Sequence, residues 1–306
     1  MIKSVTVVNY LGDSMKIELE RPRTSGFAVA YIDGLGPGKA NINTSEVATN
    51  DGGIFNSSRL SSRNIVLGLL YSWEGSESIE ELRLKTYRYF PIKKKVKLII
   101  ETDVRTAEIE GYVESNEPNI FSKSQGSHIS IICPNPLFYS SGEKGTNVTT
   151  FHGITPMFEF PFSNESLKNP LIEMGDIELQ VMKTVLYDGD EELGIVITIH
   201  ALGDAKNIDI YNTTTREMMS INTDKLKEYT GHEMITGDDI VISTVKGDKY
   251  IRLLRDGQSV NILNCLEKES DWFQLVKGDN VFAYTAEHGG SNLQFKIENR
   301  IAYEGV

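Results

Sequence analysis

The chain has 306 residues, 40% hydrophobic and 24% charged, a globular composition that excludes disordered, collagen-like and coiled-coil classes and by its length suggests two domains. The net charge of −12 is uneven: residues 1–140 carry 16 basic and 16 acidic side chains, residues 141–306 carry 15 and 27, so the second half is a poor surface for nucleic acid or anionic membrane. No apolar run approaches the roughly 18–20 residues of a membrane span, and two cysteines, Cys133 and Cys265, without a Cys-x-x-Cys spacing, argue against a disulfide framework and against structural zinc.

From the N-terminus, Met1-Ile2-Lys3-Ser4-Val5 reads as a strand and lacks the apolar core of a signal peptide, so synthesis in a reducing cytoplasm is expected. Gly34-Leu35-Gly36-Pro37-Gly38-Lys39 invites comparison with a phosphate loop. Ala40 stands where that loop needs a hydroxyl for magnesium, and no helical pattern follows, so a turn between strands is expected. The Gly- and Asn-rich residues 33–58 form a candidate arm, because long polar loops are often functional.

Ser78-Ile79-Glu80-Glu81 has capping-box spacing, and Ile79, Leu82 and Tyr89 follow at helical intervals until Pro91 ends the helix. Lys93, Lys94, Lys95 and Lys97 form the one basic cluster and lead into Leu98-Ile99-Ile100, a pattern expected of a lysine-protected sheet edge. The polar residues 140–153 coincide with the change in charge balance. They place a domain over 1–140, a linker over 141–152 and a second domain over 153–306.

In the second half, Asp188-Gly189-Asp190-Glu191-Glu192 packs four carboxylates into five residues. It lacks the alternating ligands and distal Glu of a calcium loop and is expected to be a solvated hairpin tip. Ile195, Ile197 and Ile199 alternate with more polar neighbours, as do Leu293, Phe295 and Ile297, which marks strands with one buried face. A short helix is expected from Thr223-Asp224 to Tyr229. Residues 250–255, Asp256-Gly257 and residues 258–263 make the best hairpin, since Asp and Gly tolerate the positive φ angles of a tight turn. Short strands with frequent turns predict a mainly β chain built as sandwich or barrel.

Catalytic constellations are not apparent. His128, His152, His200, His232 and His288 are scattered, and no Gly-x-Ser-x-Gly elbow occurs. A carboxylate pair for glycoside hydrolysis is a property of the fold and cannot be read from so acidic a chain. The sequence therefore assigns no catalytic, cofactor-binding or metal-ligating residue, expects no cofactor, and leaves any ligand-binding residue unassigned.

Taken in order, several segments resemble the distal tail protein family of long-tailed bacteriophages. They are Gly26-Phe27, Ile32-Asp33-Gly34-Leu35-Gly36, Asp51-Gly52 with Phe55, Arg63-Asn64-Ile65-Val66-Leu67, the helix closing on Phe90-Pro91, Arg105-Thr106-Ala107-Glu108-Ile109-Glu110-Gly111-Tyr112-Val113-Glu114, Ile131-Ile132-Cys133-Pro134-Asn135-Pro136-Leu137-Phe138 and the terminal Tyr303-Glu304-Gly305-Val306. The specificity lies in their order and spacing.

The resemblance implies a non-enzymatic virion protein with an N-terminal β-sandwich-type domain carrying one helix, followed by a galectin-like β-sandwich. It also implies a homo-hexameric ring that joins the tail tube protein to the baseplate or to a tail tip or tail-associated lysin-type protein, with a receptor-binding protein as a further neighbour. Neither nucleic acid nor membrane insertion is implied. Sugar-binding galectins use a His-x-Asn-Pro-Arg stretch, whereas His200 is followed by Ala201-Leu202-Gly203-Asp204. The sandwich architecture and Trp272, a stacking surface if it is not a core aromatic, motivate a glycan-binding host-recognition module as the alternative. A tail-associated cell-wall hydrolase is the second.

Overall fold

The strand periodicity is realised in a computed structural model that describes residues 1–46, 51–71, 77–142, 145–152 and 182–306. Two units form: Met1–Gly145 with Ala302–Val306, and Thr146–Ile301. The first contains β1 (Ile2–Val8), β2 (Ser14–Glu18), α1 (Pro22–Ser25), β3 (Phe27–Asp33), β4 (Ala40–Glu46), β5 (Gly53–Leu60), β6 (Arg63–Tyr71), α2 (Ile79–Tyr89), β7 (Lys95–Thr102), β8 (Thr106–Asn119), β9 (Gly126–Cys133) and β10 (Phe138–Ser140). The second contains β11 (Thr146–His152), β12 (Met182–Tyr187), β13 (Leu193–Gly194), β14 (Val196–Ala201), β15 (Lys206–Asn212), β16 (Glu217–Ile221), α3 (Leu226–Thr230), β17 (Asp239–Ser243), β18 (Tyr250–Arg255), β19 (Gln258–Asn261), β20 (Gln274–Leu275), β21 (Gly278–His288) and β22 (Leu293–Arg300). β23 (Ala302–Tyr303) returns to the first unit.

In the first unit the strands order as β2-β1-β7-β8-β9-β6-β3, with β10 on β8 and β23 on β10. The terminal strands β2 and β3 approach each other through α1, so the sheet curls around one core, including Val5, Ile17, Phe27, Ile65, Leu98 and Ile131. Helix α2 begins with the expected box: the Glu81 amide donates to Ser78 Oγ at 3.2 Å, and the Ser78 amide donates to Glu81 Oε2 at 2.7 Å. It ends where the Phe90 amide reaches the Thr86 carbonyl, one residue before Pro91. The lysine run does not protect an edge. β7 lies inside the sheet between β1 and β8, where Lys95 pairs with Glu110 at 2.7 Å and Lys97 with Glu108 at 3.4 Å.

In the second unit a six-stranded sheet, β11-β22-β14-β17-β18-β19, faces a four-stranded sheet, β12-β21-β15-β16. Across the interior the rings of Phe295 on β22 and Tyr284 on β21 stack at 4.1 Å, with Phe151 on β11 5.8 Å from Tyr284. That contact makes the pair a sandwich. The β18–β19 hairpin turns on Asp256 (φ 49°) and Gly257 (φ 74°), as expected. The short helix is present as a 3₁₀ turn, Thr223–Lys225, leading into α3, with Asn222 as its cap. Within the segment expected to link the domains, residues 146–152 form β11, paired along its length with β22. Residues 143–144, and 153–181 at the start of the expected second domain, lie outside the described residues.

Candidate functional site

The expected arm is a hairpin. Among the described residues β4 and β5 pair only with each other, from Ala40↔Leu60 to Glu46↔Gly53. Every residue of β4 is exposed, and so is every residue of β5 except the half-buried Leu60. Ile42, Ile54 and Phe55 are 66%, 59% and 61% exposed. Ile54 and Phe55 are consecutive and point to opposite faces, so both faces of the hairpin carry an apolar group. A two-stranded ribbon is marginal by itself in water, and both outer edges offer unpaired backbone groups. Such a ribbon is built to be covered.

Its root is held firmly. Gly34 takes φ 86°, and a Cβ there would lie 2.2 Å from the Asn64 carbonyl oxygen, so only glycine fits the turn that launches the arm. Arg63, where the chain returns from the arm into β6, is only 6% exposed. Its Nε donates to the Pro136 carbonyl at 2.7 Å, Nη1 to the carbonyls of Gly34 (2.6 Å) and Gly36, and Nη2 to the Glu304 carbonyl at 2.6 Å. The guanidinium also lies 4.7 Å from the centroid of the Phe138 ring. Burial draws its pKa down, and four oriented carbonyl dipoles offset part of that desolvation. The Val306 amide donates to the Leu35 carbonyl at 3.0 Å, so the C-terminal segment locks the same loop. Nearby, burial pushes the Cys133 thiol up to about 11, against the pull of Arg63.

Arg63 carried no assigned role in the sequence, yet a signal existed. It shares parity with Ile65, Leu67, Leu69 and Tyr71, all buried, so alternation alone points its side chain inward.

The remaining candidates do not converge. The Gly34 to Lys39 loop turns its carbonyls to Arg63 and leads into β4, not a helix. The Asp188 to Glu192 stretch is not a hairpin tip: β12 and β13 belong to different sheets, so it crosses between them. Tyr187 Oη donates to the Glu191 carbonyl at 2.6 Å there, and Asp190 lies 3.9 Å from Lys277. Among the described residues no three metal-ligating side chains cluster. His200 Nδ1 sits 2.7 Å from Asp239 on the neighbouring β17. Trp272 is half-buried, and the Lys249 ammonium lies 5.1 Å from its ring, so one face is already covered; the core aromatic is its neighbour Phe273. No helix among the described residues is long and apolar enough to cross a membrane.

Comparison with known proteins places this architecture. Residues 188–298 match the model of the siphovirus-type tail component, C-terminal domain, whereas no curated protein sequence matches the chain. Among solved structures, the Dit protein of phage SPP1, described as a paradigm of the hub adsorption apparatus in phages infecting Gram-positive bacteria, superposes with a TM-score of 0.65 at 13% identity, over 97% of this chain and 98% of that one. A chain of the phage P2 baseplate in its calcium-activated conformation gives a TM-score of 0.51 at 14% identity, over 98% of both chains. The strontium form gives 0.50 at 14% identity, over 97% of both. The fold is that of phage tail hub and baseplate components. Along nearly its whole length it is the Dit fold, and the second unit carries the tail-component sequence signature, so the resemblance read from the first half extends to the whole architecture.

Proposed function

We propose that the chain is a structural protein of a long-tailed bacteriophage virion, a ring hub at the tail tip that joins the tail tube to the baseplate or tip and the host-recognition apparatus. The Dit fold supports the hub role. The observation that carries the ring is the β4–β5 hairpin, an arm with exposed Ile42, Ile54 and Phe55 and a root fixed by Arg63. An arm reaching a different surface of an identical neighbour is a heterologous contact, which closes into a ring when the rotation permits. The net-neutral residues 1–140 can pack against their copies without strong repulsion.

The ring is hexameric, with the tube protein on one side and a tip or lysin-type protein on the other, and receptor-binding proteins attach beyond. The role is architectural and not enzymatic. Light scattering of the full chain tests this: six copies of 34.2 kDa give about 205 kDa. Replacing residues 40–60 by a short turn should return the mass to that of one chain with an unchanged far-ultraviolet circular dichroism spectrum. A chain that is monomeric at every concentration and salt contradicts the proposal.

A further inference from the structure

We infer that the hairpin arm of one copy docks on a basic-rimmed apolar surface of the next copy, formed by the β1–β2 turn, the solvent face of α2 and residues 92–94. This rests on the ring reading and names the surface that accepts the arm.

Five large apolar side chains are exposed there: Tyr10, Leu11, Leu84, Tyr87 and Ile92. Polar contacts gather them into one surface. Asn9 Nδ2 donates to the Arg88 carbonyl at 3.3 Å, Arg88 pairs with Asp13 at 2.7 Å, and the Lys94 ammonium lies 5.4 Å from the centroid of the Tyr10 ring. On α2, Leu84 and Tyr87 are three residues apart on the solvent face, while Leu82 and Thr86 face the sheet. An apolar surface of this kind with a charged rim marks a protein contact.

The backbone of Lys93 is the second observation. It takes φ 65°, in the left-handed region, with its amide donating to the Val113 carbonyl at 2.9 Å. Glycine fits that conformation and lysine is strained in it, as are Asn207, Arg216 and Asp256 among the described residues; at Lys93 the strained backbone coincides with the exposed apolar surface. Lys95 and Lys97 are committed to Glu110 and Glu108, whereas neither Lys93 nor Lys94 pairs with a carboxylate among the described residues.

The arm supplies the complement. Its far end carries Glu46 and Asp51, its shaft Ile42, Ile54 and Phe55, and its cations Lys39 and Arg59 lie at the root. Carboxylates at the tip meet Lys93 and Lys94 while the apolar shaft covers the surface beside them. The contact is between copies. The arm is exposed on its own chain and springs from the Asp33 and Arg63 ends of β3 and β6, whereas α2 lies by the opposite end of that pair, its Lys85 ammonium 6.0 Å from the centroid of the Phe27 ring. Donor and acceptor are therefore different surfaces, as ring closure requires.

Charge reversal on the full chain tests the pairing, read as ring mass by light scattering across protein concentration and salt. Lys93→Glu with Lys94→Glu should raise the concentration needed for assembly at least about tenfold at low salt, where screening is weak. Adding Glu46→Lys and Asp51→Lys to that variant should restore it. Lys93→Gly separates contact from folding: at a concentration too low for either protein to assemble its melting temperature should stay at or above wild type, while its assembly at higher concentration weakens. If rings form normally with both lysines reversed, or if the arm reversal gives no restoration, the acceptor lies elsewhere and this inference falls while the ring reading stands. If the wild-type chain forms no ring under any condition, both fall.

Discussion

Replacing Arg63 by methionine removes the cation that ties the arm's root to the C-terminal segment while keeping most of the side chain's length. Four hydrogen bonds from a charged donor disappear, to Pro136, Gly34, Gly36 and Glu304, each with a net contribution of about 1.5–3 kcal/mol. The cost of holding a guanidinium in a site only 6% exposed also disappears, which returns several kcal/mol, on the order of half the gross loss. The net destabilisation is about 3–6 kcal/mol, or roughly 6–24 °C in the melting of a unit of this size. Arg63→Lys should cost at least as much, because an ammonium keeps the buried charge but lacks the planar fork that reaches several carbonyls. Differential scanning calorimetry of the full chain is the assay, with unit Thr146–Ile301 as an internal control because Arg63 makes all these contacts within the first unit. A drop in the first-unit transition with the other unmoved is expected. A methionine variant within about 2 °C of wild type would refute the view that this arginine holds the root.

Ending the chain after Ile301 removes the Phe138↔Tyr303 pairing, the Glu304 acceptor and the Val306 amide; the first-unit transition should fall sharply and ring assembly should disappear, as calorimetry and light scattering would show. In the second unit, Asp238 is 1% exposed and accepts from Arg255 at 2.5 and 2.7 Å, so Asp238→Leu leaves the half-buried Arg255 with only Thr230 and the Glu233 carbonyl and should cost about 1–3 kcal/mol in urea unfolding. The Ser78 amide and hydroxyl hold the Glu81 carboxyl below its ordinary 4.5. A lowered folded-state pKa gives stability that is present above the ordinary value and lost as pH falls through the folded one. Acidification below about pH 4.5 should therefore narrow the gap between wild type and Glu81→Gln in thermal melts. Chelator should leave the melting temperature unchanged; a rise of several degrees on adding calcium would contradict the reading of residues 188–192 as a loop.

What the sequence made legible was local. The Asp256-Gly257 turn and the Ser78–Glu81 box are set by residues within four positions of one another, and both appear where their chemistry puts them. The lysine run was misread because a strand's place at an edge or inside a sheet depends on β1, some 90 residues away in the chain. The acidic stretch was misread for a related reason: only the sheet order reveals that the chain changes sheets at that point. β11 escaped because its partner, β22, lies near the other end of the chain. Arg63 stood in plain alternation with Ile65 and Leu67, but a charge in an apolar register is easily taken for the strand's end. The arm was recognised as a segment from its polar composition. That it is a ribbon with Ile42, Ile54 and Phe55 in solvent follows only from the absence of any other strand beside it among the described residues.

Negative-stain electron microscopy of the purified full chain tests the central claim most directly. The account predicts closed rings with six-fold class averages, lost when residues 40–60 are replaced by a short turn. Monodisperse single chains, or rings that persist unchanged without the arm, would contradict it.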